Sequence, residues 1–160
     1  MTANHDSSRD LLRHTLATLA YRGGKAVRGA PPSFAEFSGC AGRTPVKLVA
    51  HLGDLLDWGL SAAEGQQRWH DSAPLPWDQE VARFFASLKA FDDYLASSKP
   101  LNVPAEKLFQ GPIADALTHV GQIAMMRRLA GATMKSENYF VADIATGRVG
   151  PDQAVPKQEF

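Results

Sequence analysis

The fold is decided by the stretch TPVKLVAHLGDLLDWGL, residues 44–60. Thr44 is a favourable helix N-cap, and Pro45 suits the first helical position because its missing N–H would find no partner there in any case. Apolar residues then recur every three or four positions, which predicts an amphipathic helix that continues to about residue 66. The chain therefore contains at least one long helix with an apolar face that must pack against other elements.

Three further segments show the same periodicity. They are residues 8–22, followed by Gly23-Gly24; residues 77–97, followed by Lys99-Pro100; and residues 111–130, followed by Gly131. Shorter turns are predicted at residues 34–37, 104–109 and 139–145. The sustained period-two alternation that strands require is missing from the sequence. Four amphipathic helices of roughly 15 to 22 residues predict an all-α protein of the four-helix-bundle class.

Length and composition indicate one globular domain of ordinary size. The chain has 160 residues, of which 44% are hydrophobic and 21% are charged. We predict a single domain over residues 1–160, with the bundle at about 8–131 and a C-terminal tail at 132–160. Lys+Arg and Asp+Glu both number 17, so the formal net charge is zero, which argues against nucleic acid as a partner.

The sequence predicts a cytoplasmic protein without membrane association. Residues 1–10 are polar and have no apolar core, so they do not form a signal peptide. Charged residues interrupt the apolar segments well short of the length that spans a membrane. The single cysteine, Cys40, excludes an internal disulfide, suits a reducing compartment and lies in a glycine-rich loop.

Three residues with metal-binding side chains stand on apolar faces of two predicted helices. His51 shares a face with Leu48 and Leu55 in the second helix, and Asp115 and His119 are four residues apart in the fourth. Side chains at that spacing come close enough to share a cation. If the two helices face each other, two imidazoles and one carboxylate form a divalent-metal site with coordination positions open to water or substrate.

Each of these residues also has a structural interpretation. A core histidine commonly bonds a hydroxyl or carbonyl group of another helix, since an unpaired polar group costs about 1–3 kcal/mol. Asp115, if it lies in the first turn of its helix, gains about 0.3–1 kcal/mol from the helix dipole. The alternative to a metal-dependent enzyme is therefore a non-catalytic binding or dimerisation module with a hydrogen-bonded His/Asp/His cluster and no metal.

Other polar residues are secondary candidates. Gln122 and Asp54 each follow a candidate histidine by one turn and could orient the ligands or the substrate. Asn138 and Tyr139 could lie at the mouth of the site, although a solvated tail is the simpler interpretation. The remaining histidines, two in polar segments and one on the first helix, are weaker candidates: His5, His70 and His14.

Two stretches resemble the DinB-like family of bacterial helical-bundle proteins. RTPVKLVAHLGD, residues 43–54, is similar to the family's second helix with its metal-binding histidine. DALTHVGQI, residues 115–123, is similar to the last bundle helix, where the family usually has two histidines four residues apart, followed by Gly-Gln. The resemblance extends over about residues 11–131.

This resemblance maps His51 and His119 onto the family's metal ligands, and it puts Asp115 where many members have another histidine. It implies an up-down-down-up bundle, a divalent metal, a homodimer and a small-molecule substrate. Zinc or nickel is the first expectation for such a ligand set, and manganese or iron also tolerates it. Characterised relatives include thiol-dependent transferases and a thiol-dependent isomerase, so the resemblance implies a metal-dependent enzyme of the thiol-dependent transferase or hydrolase class.

Overall fold

The structure is a computed structural model that describes residues 6–39 and 42–160. Four long helices dominate it: α1 (Ser7–Val27), α2 (Pro45–Ala63), α3 (Trp77–Ala96) and α5 (Ala114–Leu129). A four-residue helix α4 (Ala105–Leu108) and a π-helical turn (Phe109–Ile113) precede α5, and 3-10 turns lie at Pro32–Glu36 and Tyr139–Val141. The interpretations of His5 and Cys40 concern residues outside the described part.

The prediction of an all-α protein is confirmed. The described residues contain no strand, and their β-type pairing is limited to one isolated bridge between Glu137 and Glu159. Within the same part of the chain, each helix is too short or too polar to cross a membrane.

The long helices surround one apolar core. Both α1 and α2 contact α3 and α5, so the four helices follow one another around the core in the order α1, α3, α2, α5. Fully burying one large apolar side chain contributes about 1.5–3 kcal/mol, so this core is the main source of stability. Its largest fully buried side chains are Leu16, Leu19, Phe34, Leu48, Leu52, Leu56, Phe84, Leu88, Phe91, Leu95, Leu108 and Ile113.

The glycine pair in the first helix does not end it, so the prediction of a stop at residue 22 is wrong. A Cβ atom at Gly23 would lie 2.7 Å from the Cζ atom of Phe84. The glycine therefore lets an aromatic ring of α3 approach the backbone of α1. The helix continues to Val27, where the Arg127 guanidinium donates to carbonyl groups at its end.

The second helix begins as predicted and ends slightly earlier. Pro45 is its first residue, and Thr44 has the extended N-cap conformation, although the threonine hydroxyl makes no capping hydrogen bond. Gly65 has a φ of +85°, which favours glycine and turns the chain away from the helix. The side-chain amide of Asn102 donates to the Ala63 carbonyl at 2.9 Å and completes this end.

The last helix is part of a longer helical path than the sequence predicted. Helical structure starts at Ala105 rather than at residue 111, and it passes through the π-helical turn with Pro112 inside. Proline disrupts a regular α-helix because its ring meets a carbonyl of the preceding turn, and a wider turn accommodates it. Since helical residues precede Asp115, a free helix N-terminus does not account for its position.

The segment after α5 packs back onto the bundle. Val149 is buried in the core, and the buried carboxylate of Glu137 accepts hydrogen bonds from the Tyr21 hydroxyl and from Lys25 Nζ, the latter at 2.7 Å. Burial, followed by the interaction with Glu137, raises the pKa of Tyr21. The C-terminal tail predicted at residues 132–160 is therefore attached to the bundle over part of its length.

Candidate metal centre

His51 of α2 and Asp115 and His119 of α5 meet where these two helices pack together. We call these residues the trio. The Nε2 atom of His119 lies 3.4 Å from Asp115 Oδ1, and that of His51 lies 3.9 Å from Asp115 Oδ2. The two imidazole rings are nearly perpendicular, with centroids 4.7 Å apart. The structure thus brings together all three residues that the sequence singled out.

The spacing of these atoms fits a shared cation. Bonds of about 2.0–2.2 Å to a tetrahedral zinc ion put neighbouring donor atoms roughly 3.4 Å apart. The His119–Asp115 distance already matches this value, and one ligand atom from each residue lies within 4.8 Å of the others. The distance of 3.9 Å between His51 Nε2 and Asp115 Oδ2 is about 0.5 Å longer than this value.

The trio is open on one side. The side chain of His119 is 9% exposed, that of His51 is 25% exposed and that of Asp115 is 49% exposed. One imidazole is therefore held in the interior, while the carboxylate faces solvent. An open site with three protein ligands leaves room for substrate, whereas structural metal sites are closed by a fourth protein ligand.

Gln122 holds the buried imidazole in place. Its Oε1 atom lies 2.7 Å from Nδ1 of His119, one turn back along α5. An Nδ1–H that donates to this oxygen leaves the lone pair of Nε2 facing Asp115. Metal-binding histidines usually have such a partner for the second ring nitrogen. The structure therefore puts Gln122 where the sequence analysis expected an orienting residue.

The imidazole of His51 contacts an aromatic ring of the linker between α2 and α3. Trp69 meets it edge to face with centroids 5.7 Å apart, and Trp58 packs against Trp69 in turn. Burial lowers the pKa of His51, the charge of His119 lowers it further, and Asp115 opposes them. The neutral imidazole that a metal requires is thus favoured. Trp69 could not be predicted as a neighbour of His51, because its only signal in the sequence is a large aromatic residue in a polar linker.

Asp54 has partners other than His51. It is buried, it accepts hydrogen bonds from the backbone N–H and the hydroxyl of Ser72 at 2.9 and 2.7 Å, and it pairs with the Arg83 guanidinium. Burial acts to raise the pKa of Asp54, but the bonds from Ser72 and Arg83 outweigh it and lower the pKa. Arg83 also donates to the carbonyl of Ala50. Asp54 therefore helps α3 hold the turn of α2 that carries His51.

A second group of metal-competent side chains includes Asp54 itself. His70 Nε2 is 3.4 Å from Asp54 Oδ1 and 3.9 Å from Asp57 Oδ2. We call these three residues the Asp54 group. A cation there would compete with Arg83 for the same carboxylate, which makes it the weaker site. The sequence gives no signal for His70, because the path of the linker brings it to α2.

Three other candidates lie away from the trio. His14 is exposed, and its Nδ1 atom is 3.5 Å from the hydroxyl of Thr146. Asn138 accepts a hydrogen bond from the backbone N–H of residue 140, and Tyr139 stacks edge-on against Tyr21 of α1. The idea that Asn138 and Tyr139 line the mouth of the site is wrong, because the tail carries them to α1.

Two clefts flank the trio. One has a volume of about 250 Å³ and includes His51, and the other has a volume of about 460 Å³ and includes Asp115. The second is lined by Trp58, Gln110, Gly111, Ala114, Asp115 and Thr118. Each cleft therefore borders one residue of the trio, His51 in the smaller cleft and Asp115 in the larger.

No family model matches the sequence, and no curated protein or solved structure is significantly similar to it.

Proposed function

We propose that this chain is a divalent-metal-dependent enzyme of the DinB-like type, in which His51, Asp115 and His119 hold the ion and a small molecule is the substrate. The observation that carries the proposal is the convergence of three metal-competent side chains in a half-open site. Zinc or nickel is the first candidate for the ion. Thiol-dependent group transfer or hydrolysis is the reaction class that we propose.

The internal geometry of the trio favours a metal over a hydrogen-bonded cluster. Its Nε2–Oδ distances of 3.4 and 3.9 Å exceed the usual length of a hydrogen bond. Within the described chain, His51 forms no hydrogen bond, so its partly buried imidazole has no protein partner of that kind. Donor atoms that point toward one another without bonding are what a shared cation requires.

The residues around the trio have separable roles in this proposal. Gln122 fixes the ring of His119, and Arg83 holds the backbone of α2 next to His51. Trp69 packs against the His51 ring in a T-shaped arrangement. Asp115 stands on the open side, where substrate would arrive. A bound divalent ion would supply Lewis-acid chemistry and lower the pKa of a coordinated group.

Contact pairs support the proposed up-down-down-up order of the helices. Between α2 and α3, the residue numbers of contacting pairs increase together, which is the pattern of parallel neighbours. Between α1 and α3, the residue numbers increase in one helix while they decrease in the other, so these helices are antiparallel. The α2–α3 pairs are Gly53–Arg83, Gly59–Phe91 and Ala63–Tyr94, and the α1–α3 pairs are Arg9–Leu95, Arg13–Asp92 and Gly23–Phe84. The proposed homodimer rests on the family resemblance alone.

Metal analysis of the purified protein tests the proposed centre. After loading with zinc or nickel and removal of free metal, we expect about one ion per chain and loss of that ion in His51→Ala with helix content unchanged. The matched control is His14→Ala, which removes an exposed histidine away from the trio and should retain the ion. A wild-type stoichiometry below about one-tenth per chain would overturn the proposal.

The pH at which metal is released provides a second test of the ligands. Imidazole must be neutral to coordinate, so occupancy should fall as the pH drops below about 6. Full occupancy near pH 4 would argue against histidine ligation.

The thiol dependence can be tested without knowledge of the substrate. Cobalt(II)-loaded protein titrated with cysteine should develop a thiolate-to-cobalt charge-transfer band if a thiol reaches the ion. The His51→Ala variant is the control for cobalt bound elsewhere. The absence of the band in cobalt-loaded wild type would contradict a thiol-dependent reaction.

A further inference from the structure

The smaller of the two clefts has a distinctive lining. We call it the Arg43 cleft, and its volume is about 250 Å³. It is bounded by the start of α2 and by the linker that leads to α3. His51 lines the cleft and also belongs to the trio. Its lining residues are Arg43, Lys47, His51, Asp54, Asp71, Ser72 and Pro74.

Two cations on this cleft lack protein counter-charges. Arg43 and Lys47 are exposed, and neither forms an ion pair or a hydrogen bond with any other residue in the ranges 6–39 and 42–160. The charge of Asp54 is already matched by Arg83. Asp71 is then the remaining acid on the lining and stands on the exposed linker. The cleft therefore has an excess of positive charge at its rim.

The positions of these cations favour a ligand that also reaches the trio. Arg43 and Lys47 are four residues apart around the first turn of α2, where the positive end of the helix dipole adds to their charge. Arg43 and His51 line the same cleft. The cleft volume is below the roughly 300–1,000 Å³ of typical small-molecule sites, so it suits one group of a ligand rather than a whole ligand.

We propose that the Arg43 cleft binds an anionic group, a carboxylate or a phosphate, at one end of the substrate whose reacting atoms lie at the trio. This inference rests on the proposed function and narrows the substrate class to anionic small molecules. Arg43 offers a planar fork of donors to two oxygens of such a group, and Lys47 offers a point charge. The Ser72 hydroxyl on the same lining already donates to Asp54, so the two cations provide the donors for the anion.

The cleft can be tested apart from the metal. Metal-free full-length protein is titrated separately with inorganic phosphate and with succinate, and backbone amide chemical shifts are followed by NMR. At least one probe should produce saturable shifts at the amides of residues 43, 44, 46, 47, 71 and 72, and the probe that binds more tightly identifies the preferred group. Binding should weaken at high salt, since both cations are exposed.

Matched variants decide whether the two cations are responsible. Arg43→Gln combined with Lys47→Gln should weaken binding by about tenfold or more, because two charge-assisted contacts are lost. Lys89→Gln removes an exposed cation from α3 and should leave binding unchanged. Saturable binding that is equal in wild type and the double variant would overturn the proposal, as would the lack of saturable shifts with either probe.

The metal stoichiometry of the double variant separates this proposal from the proposed function. We expect it to equal that of wild type, because neither substituted residue is a ligand. Loss of anion binding together with retained metal supports the cleft. A wild-type protein that takes up no metal but binds phosphate or succinate here would overturn the metal centre and also the substrate placement, leaving only an anion site.

Discussion

The helix α2 contributes to two groups of metal-competent side chains, and these groups differ in what already occupies their oxygen and nitrogen atoms. In the trio, the carboxylate of Asp115 is half exposed and lies 3.4 and 3.9 Å from two imidazole nitrogens. In the Asp54 group, the carboxylate of Asp54 is buried and already bonded to Ser72 and Arg83. Both groups combine imidazoles with carboxylates. The carboxylate closest to a histidine is Asp115 in the trio and Asp54 in the Asp54 group, and only that of Asp54 pairs with an arginine. The hydrogen bonds and ion pairs that a carboxylate already makes therefore distinguish a candidate metal site from a structural ion pair.

The largest contrast between the groups should appear when a histidine is removed from each. His119→Ala deletes the buried imidazole of the trio and should weaken zinc binding by more than about a hundredfold, since even indirect partners of a ligand contribute 10–100-fold. His70→Ala, the matched change in the Asp54 group, should leave affinity unchanged. Competition with a chromophoric chelator measures both variants. An equal loss in the two would show that zinc does not distinguish the groups.

The structural role of Asp54 predicts a large effect on stability. Arg83→Met leaves a buried carboxylate without its cation, and we expect the free energy of unfolding to fall by about 2–4 kcal/mol. The comparison is Lys89→Met, which breaks an exposed pair with Asp93 and should cost less than about 1 kcal/mol. Urea unfolding measures both. A similar loss in the two variants would contradict the assigned role of Arg83.

A smaller effect is expected when the partner of a ligand is changed. Gln122→Ala removes the acceptor that fixes the ring of His119, and it should weaken metal binding by about tenfold with little change in stability. Gln122→Glu keeps an acceptor and should restore most of the affinity. If both variants bind zinc as tightly as wild type, the contact between Gln122 and His119 has no part in metal binding.

The smallest expected effect is the pH dependence of stability from Asp54. The pKa of Asp54 is lowered from 3.8 in the fold, so its ionised form stabilises the folded state above the unfolded pKa, and that stability is lost as the pH falls through the folded pKa. Asp54→Asn should have a shallower decline in the free energy of unfolding below about pH 4. Parallel curves for the two proteins would contradict the lowered pKa.

Much of this architecture follows from periodicity. The start of α2 at Pro45 and the extent of α3 were predictable because apolar spacing and the N-terminal proline act locally. The end of α1 was not, because Gly23 is a packing glycine whose partner, Phe84, is distant in sequence. Helical spacing could likewise not reveal the π-helical turn before α5, where Pro112 is accommodated by a wider turn.

The candidate site was predictable only in part. Asp115 and His119 are linked by helical spacing, and the apolar face of α2 points His51 inward, so the sequence could bring these residues into one hypothesis. The linker has no periodicity, and its contacts through Trp69 and His70 depend on how it runs back along α2. The pairing of Asp54 with Arg83 also joins separate helices, which explains why Asp54 was first considered an orienting residue for His51.

Crystals of the zinc-loaded protein would test the central claim most directly, through an anomalous difference map recorded at the zinc edge. The account predicts one strong peak within about 2.3 Å of the Nε2 atoms of His51 and His119 and of a carboxylate oxygen of Asp115. A peak between Asp54, Asp57 and His70, or no peak at the trio in fully loaded protein, would contradict it.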